Sequence, residues 1–394
     1  MRSRVVFFSD LGPDSLKQER LTSVVRMLVQ RQALETFYGV DEFRDRYPAD
    51  VAELRNHDRI RLSPSAWKLR KAFGTRFRPF GLDSIGHYVG VLDQSRLIRK
   101  NGQGRSYDVL FTQPYFPAIV RDAVAAGVPV VLEADGGHPM HWWQVLRQEE
   151  RAEGVSRFRA ERFNFKKYVT GACQSIELAT KVIVFSTHAA DSFIQYGVPV
   201  QKLEIIPPTV ELSSPVQVTL PQRPVFLSVA AHSLRKGTHH LLRSWKAADL
   251  ADAELFLIGS IQPTVKHLTR DARRPPNVHI LGRQPIPEVF GTVSGCFVLP
   301  SLLEGRPRTV LEAMSCGMPA IVYPAASCDV VKNYENGFLI QDQDDLTARI
   351  RELGTNWSLC ERMGAQAKKD MDKERRRTPY SESVFSLLIK HAKS

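Results

Sequence analysis

The feature that most constrains this chain is an alternation that occurs twice. Short apolar runs at 5–8, 107–112, 128–134, 181–185 and 203–206 read as strands, with helical periodicity over 15–29, 118–126, 141–153, 157–179 and 187–196 between them. A second series places strands at 225–229, 254–258, 277–281, 296–299 and 319–323. Helices fit between these, from Lys236, Pro263, Pro287 and Pro307. Strand–helix alternation predicts the α/β class, with parallel sheets and right-handed crossovers. Pro207-Pro208 and the Ser, Thr and Pro between Ser213 and Pro221 leave little to pack, so they read as a linker. The expected division is a first domain over 1–208, a linker over 209–222, a second domain over 223–372 and a terminal segment over 373–394. Two such domains facing one another make a cleft, the usual place for a small-molecule site.

Helices are expected at 344–353 and 357–371, then a charged break at Lys373–Arg377 and a last helix over Tyr380–Lys390 with Val384, Phe385, Leu387 and Leu388 on its apolar side. Residues 41–100 read as mostly helical and strongly basic. Within them Trp67 to Phe80 interleaves aromatics with cations. A membrane-surface element, a nucleic-acid patch and a solvated helix with one side in the core all fit that stretch.

The formal net charge of +12 favours anionic partners without choosing among them. Five cysteines, none in a C-x-x-C pair, support neither a disulfide framework nor a zinc site, and free thiols in a reducing compartment are the simplest reading. Too few apolar residues follow the basic start for a signal peptide, and no run approaches the roughly 20 needed to span a bilayer. A cytoplasmic protein is expected, with any membrane contact peripheral. P-loop, dinucleotide, G-x-S-x-G and H-E-x-x-H signatures are absent. The adjacent pair His239-His240 cannot easily clamp one metal and reads as one surface and one core residue.

Chemistry concentrates at strand ends of the second half. Arg235, Lys236 and Gly237 follow the strand 225–229, Gly259 ends the strand 254–258, and Gly282-Arg283 follows the next. Glu304 stands in the turn after 296–299, and Glu312 eight positions on, about two turns into a helix. Pro307 fits the first helical position. The free N–H groups behind it make an anion site. Basic side chains at a helix start oppose its dipole unless an anion is present. The bland alternative is a solvated turn with surface carboxylates. In the first half, Asp135-Gly136-Gly137-His138-Pro139 puts His138 in a loop at a strand's carboxyl end, where open α/β sheets bind ligands.

Glu304-Gly305-Arg306-Pro307-Arg308-Thr309-Val310-Leu311-Glu312 resembles the E-x7-E motif of the retaining, nucleotide-sugar-dependent glycosyltransferases of family 4 (glycosyl transferases group 1, GT-B fold). Ala313 to Pro319 is similar to the A-M-A-C-G-x-P that follows it, Arg235-Lys236-Gly237 to the basic phosphate turn and Asn336 to Leu339 to its N-G-x-L. The similarity covers 224–390 well and is fold-level before that, apart from Gly137-His138-Pro139 and the stretch from Gly197-Val198-Pro199 to Pro208.

The resemblance implies two Rossmann-like doubly wound domains facing a central cleft, closing about the linker, with the last helix returning to the first domain. It implies a hexosyltransferase of polysaccharide-biosynthesis type, moving a sugar from a nucleotide sugar, UDP- or GDP-linked, to a hydroxyl of a glycan, lipid-linked or small-molecule acceptor. No cofactor, metal or nucleic acid is expected. Lys236, Glu304 and His138 would be catalytic: Lys236 on the donor diphosphate, Glu304 on the donor sugar, His138 reaching the transferred sugar from the first domain. Arg235, Gly259, Gly282, Arg283, Gly305, Arg306, Arg308, Thr309, Val310 and Glu312 would line the donor site, with Glu312 on the ribose and Gly282-Arg283 near the base. Two departures stand out. Ala231 occupies the position of an arginine common in the family, and E-G-R-P replaces E-G-F-G, so Pro307 removes one N–H donor. Rival readings are another GT-B enzyme (a phosphorylase or a sugar-nucleotide epimerase) and a non-catalytic basic binding protein.

Overall fold

The computed structural model describes residues 5–8, 15–40, 57–60, 107–155, 159–209, 223–269, 275–285, 290 and 295–392. The strands are β1 (Val5–Phe8), β2 (Leu34–Val40), β3 (His57–Ile60), β4 (Val109–Thr112), β5 (Val130–Glu133), β6 (Lys181–Val184) and β7 (Leu203–Ile205), then β8 (Val225–Val229), β9 (Glu254–Ile258), β10 (Val278–Gly282), β11 (Cys296–Leu299), β12 (Ala320–Val322) and β13 (Gly337–Leu339). They form two parallel sheets, ordered β3-β2-β1-β4-β5-β6-β7 and β10-β9-β8-β11-β12-β13. In each, the strand order reverses beside the first strand, so helices pack on both faces. The alternating side chains record this. Val109 and Phe111 face one buried cluster and Leu110 the other. In the second sheet Val225, Leu227 and Val229 face one, and Phe226 the other.

The helices are α1 (Ser15–Gln30), α2 (Pro117–Ala125), α3 (Pro139–Ala152), α4 (Arg159–Leu178), α5 (Thr187–Gln195), α6 (Thr238–Ala248), α7 (Pro263–Lys266), α8 (Arg308–Ser315), α9 (Gln343–Thr355), α10 (Trp357–Glu374) and α11 (Tyr380–His391). Strands β2, β3 and β13 were not expected. The helical reading of 41–100 fails at β3, whose sequence His-Asp-Arg-Ile offers no apolar run, and the rest of 41–100 lies outside the described residues. The linker residues 210–222 and the helix expected from Pro287 also lie outside them. The charged break is shorter than expected, because α10 continues through Glu374.

The last helix packs on the first sheet. Tyr380, Val384, Leu387 and Leu388 join Val5, Leu21, Phe111 and Ile183 in one core, with Phe385 beside them. Tyr380 also donates its hydroxyl to Glu133, which Arg20 holds from the other side at 2.7 and 3.3 Å. Burying that carboxylate is tolerable because both oxygens are paired.

Polar contacts join the two halves. Asp329 accepts the Thr187 backbone N–H at 2.8 Å and faces its hydroxyl at 3.2 Å, supplying an acceptor to the start of α5. Asp329 and Cys328 both have φ of +57°, an uncommon conformation for side chains of this kind. The Arg306 guanidinium braces that turn, donating to the Cys328 carbonyl at 2.6 Å.

Candidate active site

In a parallel sheet every strand ends at the same edge, so the residues after β8, β9, β10 and β11 are neighbours. Gly259 donates its N–H to the Gly282 carbonyl at 2.5 Å, binding two of these ends together, with Arg283 exposed just beyond. After β8 the chain turns through Arg235 and Lys236 into α6. Gly237 caps the helix with φ of +63°, and a Cβ there would lie 1.8 Å from the Pro300 carbonyl oxygen. Only glycine lets the basic turn press against the end of β11. The Leu302 N–H donates to the Arg235 carbonyl at 2.9 Å, locking the two turns together.

That lock sets the central cluster. One carboxylate oxygen of Glu304 accepts from Lys236 Nζ, from Arg235 at 3.1 Å and from Ser301 Oγ at 2.7 Å. Burial alone would raise the Glu304 pKa, but the two cations outweigh it and hold the carboxyl at about 2. For Lys236 burial dominates, with Arg235 adding repulsion, and its pKa falls below the ordinary lysine value despite Glu304. Arg235 also donates to the Leu303 carbonyl at 2.9 Å, and its guanidinium lies 5.4 Å from the Trp142 ring of the first half.

Helix α8 starts one residue later than the sequence suggests. Pro307 is the N-cap, in extended conformation, and Arg308 takes the first helical position. The N–H groups of this first turn precede the helix's own acceptors and face the same edge. Arg308 pairs with Glu312 at 2.7 Å, and Glu312 and Val310 are buried while Thr309 is half-buried. The Arg306 side chain turns away from the cluster. It is buried and ion-paired with Glu374 of α10, so only its backbone remains at the edge.

The first half meets this edge at the loop after β5. A Cβ on Gly305 would lie 2.2 Å from the Asp135 carbonyl oxygen, so the turn carrying Glu304 touches the loop carrying His138. His138 is fixed on several sides. Its backbone N–H donates to Ser192 Oγ at 2.8 Å, its Nδ1 accepts from the Met140 N–H at 3.3 Å, and its ring stacks on Tyr196 at 4.7 Å. Burial, with repulsion from His141, lowers its pKa to about 4. With Nδ1 an acceptor, the neutral ring carries its proton on Nε2, a fixed hydrogen-bond donor.

The consequence for stability has a definite sign. A folded-state pKa below the unfolded value of about 6.5 means that the unfolded chain binds the proton first, so stability falls as pH drops from about 6.5 towards 4. We expect histidine NMR titration to place the His138 midpoint near 4; a midpoint near 6.5 would contradict the buried, neutral ring.

The structure thus places Lys236, Glu304, Arg235, Gly305, Arg308, Thr309, Val310 and Glu312 around one edge, with Gly259, Gly282 and Arg283 beside them. His138 comes to that edge from the other half. Ser301, Asp135, Trp142, Ser192 and Tyr196 complete the surroundings and were not singled out from sequence. Ser301 stands three residues before Glu304 in a turn, the one local signal available; Ser192 and Tyr196 reach His138 only through the folding of the first half, from more than 50 residues away.

Residues 212–370 match the family described as glycosyl transferases group 1. A segment of 101 residues is 35% identical to an uncharacterized glycosyltransferase of Methanocaldococcus jannaschii, covering 25% of this chain and 25% of that protein. A segment of 64 residues is 47% identical to the UDP-Gal:alpha-D-GlcNAc-diphosphoundecaprenol alpha-1,3-galactosyltransferase of Escherichia coli, covering 16% of each chain. These matches take in a quarter or less of the two relatives. Among solved structures, HepE of Anabaena in complex with UDP and glucose superposes with a TM-score of 0.65 at 17% identity, over 98% of this chain and 100% of that one. Sucrose-phosphate synthase from Thermosynechococcus elongatus superposes with a TM-score of 0.66 at 16% identity, over 99% of both. The chain has the GT-B fold, and its second half matches the glycosyl transferases group 1 model.

Proposed function

We propose that this chain is a retaining glycosyltransferase that binds a UDP-sugar at the carboxyl edge of the second sheet and transfers the sugar to a glycan or lipid-linked hydroxyl held by the first domain. The observation that carries the reading is the Glu304 carboxylate held by Lys236, Arg235 and Ser301 against the loop of His138. Two cations sharing one buried carboxylate make a site ready to exchange partners. A donor diphosphate would draw Lys236 and Arg235 to itself and free Glu304 to accept from a sugar hydroxyl. The Arg308–Glu312 pair allows the same exchange, releasing Glu312 to the ribose hydroxyls. The first turn of α8 adds N–H groups and the positive end of its dipole. UDP rather than another nucleotide is favoured by the galactosyltransferase relative and the UDP complex of the structural neighbour.

In the reaction, the bond from the anomeric carbon to the β-phosphate oxygen breaks on the face where the acceptor oxygen bonds. The acceptor proton passes to the departing phosphate oxygen, and the nucleoside diphosphate leaves. Lys236 and Arg235 stabilise the charge that develops on it, so no metal is required for that step. His138, neutral with its donor on Nε2, is suited to a hydroxyl of the transferred sugar. The Glu304 and Glu312 carboxylates bind the donor and do not flank a scissile bond, so the spacing rules of glycoside hydrolysis do not apply.

Thermal-shift titration with UDP-, GDP-, ADP- and dTDP-sugars tests the reading. We expect UDP-sugars to raise the melting temperature most, and Glu312→Ala to abolish that rise while the melting temperature without ligand changes little. No shift with any nucleotide sugar would remove the donor site from the proposal.

A further inference from the structure

The sequence sets His239 and His240 side by side in α6, with no third ligand near them in the chain. The fold supplies one from the other half. Glu149, on α3, presents its Oε2 to His239 Nε2 at 2.8 Å and to His240 Nε2 at 3.6 Å. All three donor atoms lie within 4.8 Å of one another. Tetrahedral ligands at roughly 2.0–2.1 Å from zinc stand about 3.4 Å apart, and the two measured separations bracket that value. Two imidazoles and one carboxylate are a common zinc set, leaving a fourth position for water.

The surroundings favour a preformed site. The His239 side chain is fully buried, and those of Glu149 and His240 are 16% and 18% exposed. His240 Nδ1 lies 3.1 Å from the Tyr323 hydroxyl, the outer partner that a metal-bound imidazole needs to fix its ring. His239 Nδ1 is buried with no hydrogen-bond partner among the described residues, so the ring can carry its proton there when Nε2 holds a metal. Further along, Arg243 of α6 grips both oxygens of Glu153, the residue that caps the end of α3, each at 2.7 Å.

We propose that Glu149, His239 and His240 form a zinc site that staples the two halves together along α3 and α6, apart from the donor cluster. Zinc takes the place of the proton that faces Glu149 on His239 Nε2, and that proton moves to Nδ1, so the ligating imidazole stays neutral.

Calorimetric titration of the full chain with zinc chloride, without any sugar donor, tests this. The expected result is one ion bound per chain. Glu149→Gln, which keeps the size of the side chain, and His240→Ala should each weaken binding by about 10- to 100-fold or more. Zinc should raise the melting temperature of the wild type and leave that of Glu149→Gln unchanged. Absence of binding would overturn the proposal and leave the cluster as hydrogen bonds alone. Equal affinity in wild type and both variants would also overturn it, by placing the ion elsewhere, for example on Cys173 or Cys316.

Discussion

Lys236→Ala is expected to lower turnover at saturating donor by about 10²- to 10³-fold, roughly 3–4 kcal/mol of transition-state stabilisation, the range seen when one fixed donor facing a developing oxyanion is removed. The ammonium sits at the start of α6, next to the Gly237 cap, and donates to Glu304. Charge on a departing phosphate grows as the bond breaks, so the interaction strengthens towards the transition state and the loss should appear in kcat more than in donor affinity. Arg235 remains in the variant but stands against Trp142 and the Leu303 carbonyl, and its planar fork cannot replace a compact ammonium at the same point. Lys236→Arg should therefore recover little. Near-normal turnover in Lys236→Ala would mean that the phosphate charge is met elsewhere.

Gly305→Ala has the second large expected effect, by a different cause. The added methyl would meet the Asp135 carbonyl at 2.2 Å, a backbone atom that cannot rotate away. The turn bearing Glu304 and the loop bearing His138 would then be forced apart. A displacement of about 1 Å at reacting groups can cost about 100-fold in rate. Apart from His138, the proposed donor contacts lie in the second half, so UDP-sugar binding should survive within a few-fold. Turnover reduced about 100-fold with thermal shift by donor intact is the expected pattern. Parallel loss of both would mean that Gly305 serves the donor site itself rather than the meeting of the halves.

The second half is legible in the sequence because β8, β11 and β12 are apolar and buried throughout, and β9, β10 and β11 run into Gly259, Gly282 and Pro300. Those ends are also the site, which is why Lys236, Glu304 and Glu312 could be picked out together. β2 was missed because Leu34–Val40 carries a glutamate and a glycine, and β3 because its four residues include an aspartate and an arginine. The position of Pro307 was read one step too far into α8: its φ suits either place, and only the extended ψ of 114° decides for the cap. Arg306 reads as a surface cation by type, yet it is a buried brace, since its partner Glu374 lies 68 residues away. The pairing of Glu149 with His239, 90 residues apart, is beyond any local pattern for the same reason.

Each of the four buried apolar clusters belongs to one half, the first including the last helix. The chain must therefore pass between the halves twice, through 210–222 and again between Glu374 and Tyr380. The two passages start from the same place on the first half, where the Tyr380 backbone N–H lies 3.4 Å from the Thr209 hydroxyl. That contact gathers the ends of both connections on the first half, and the contacts at Gly305, Asp329 and Glu149 hold the two halves against each other.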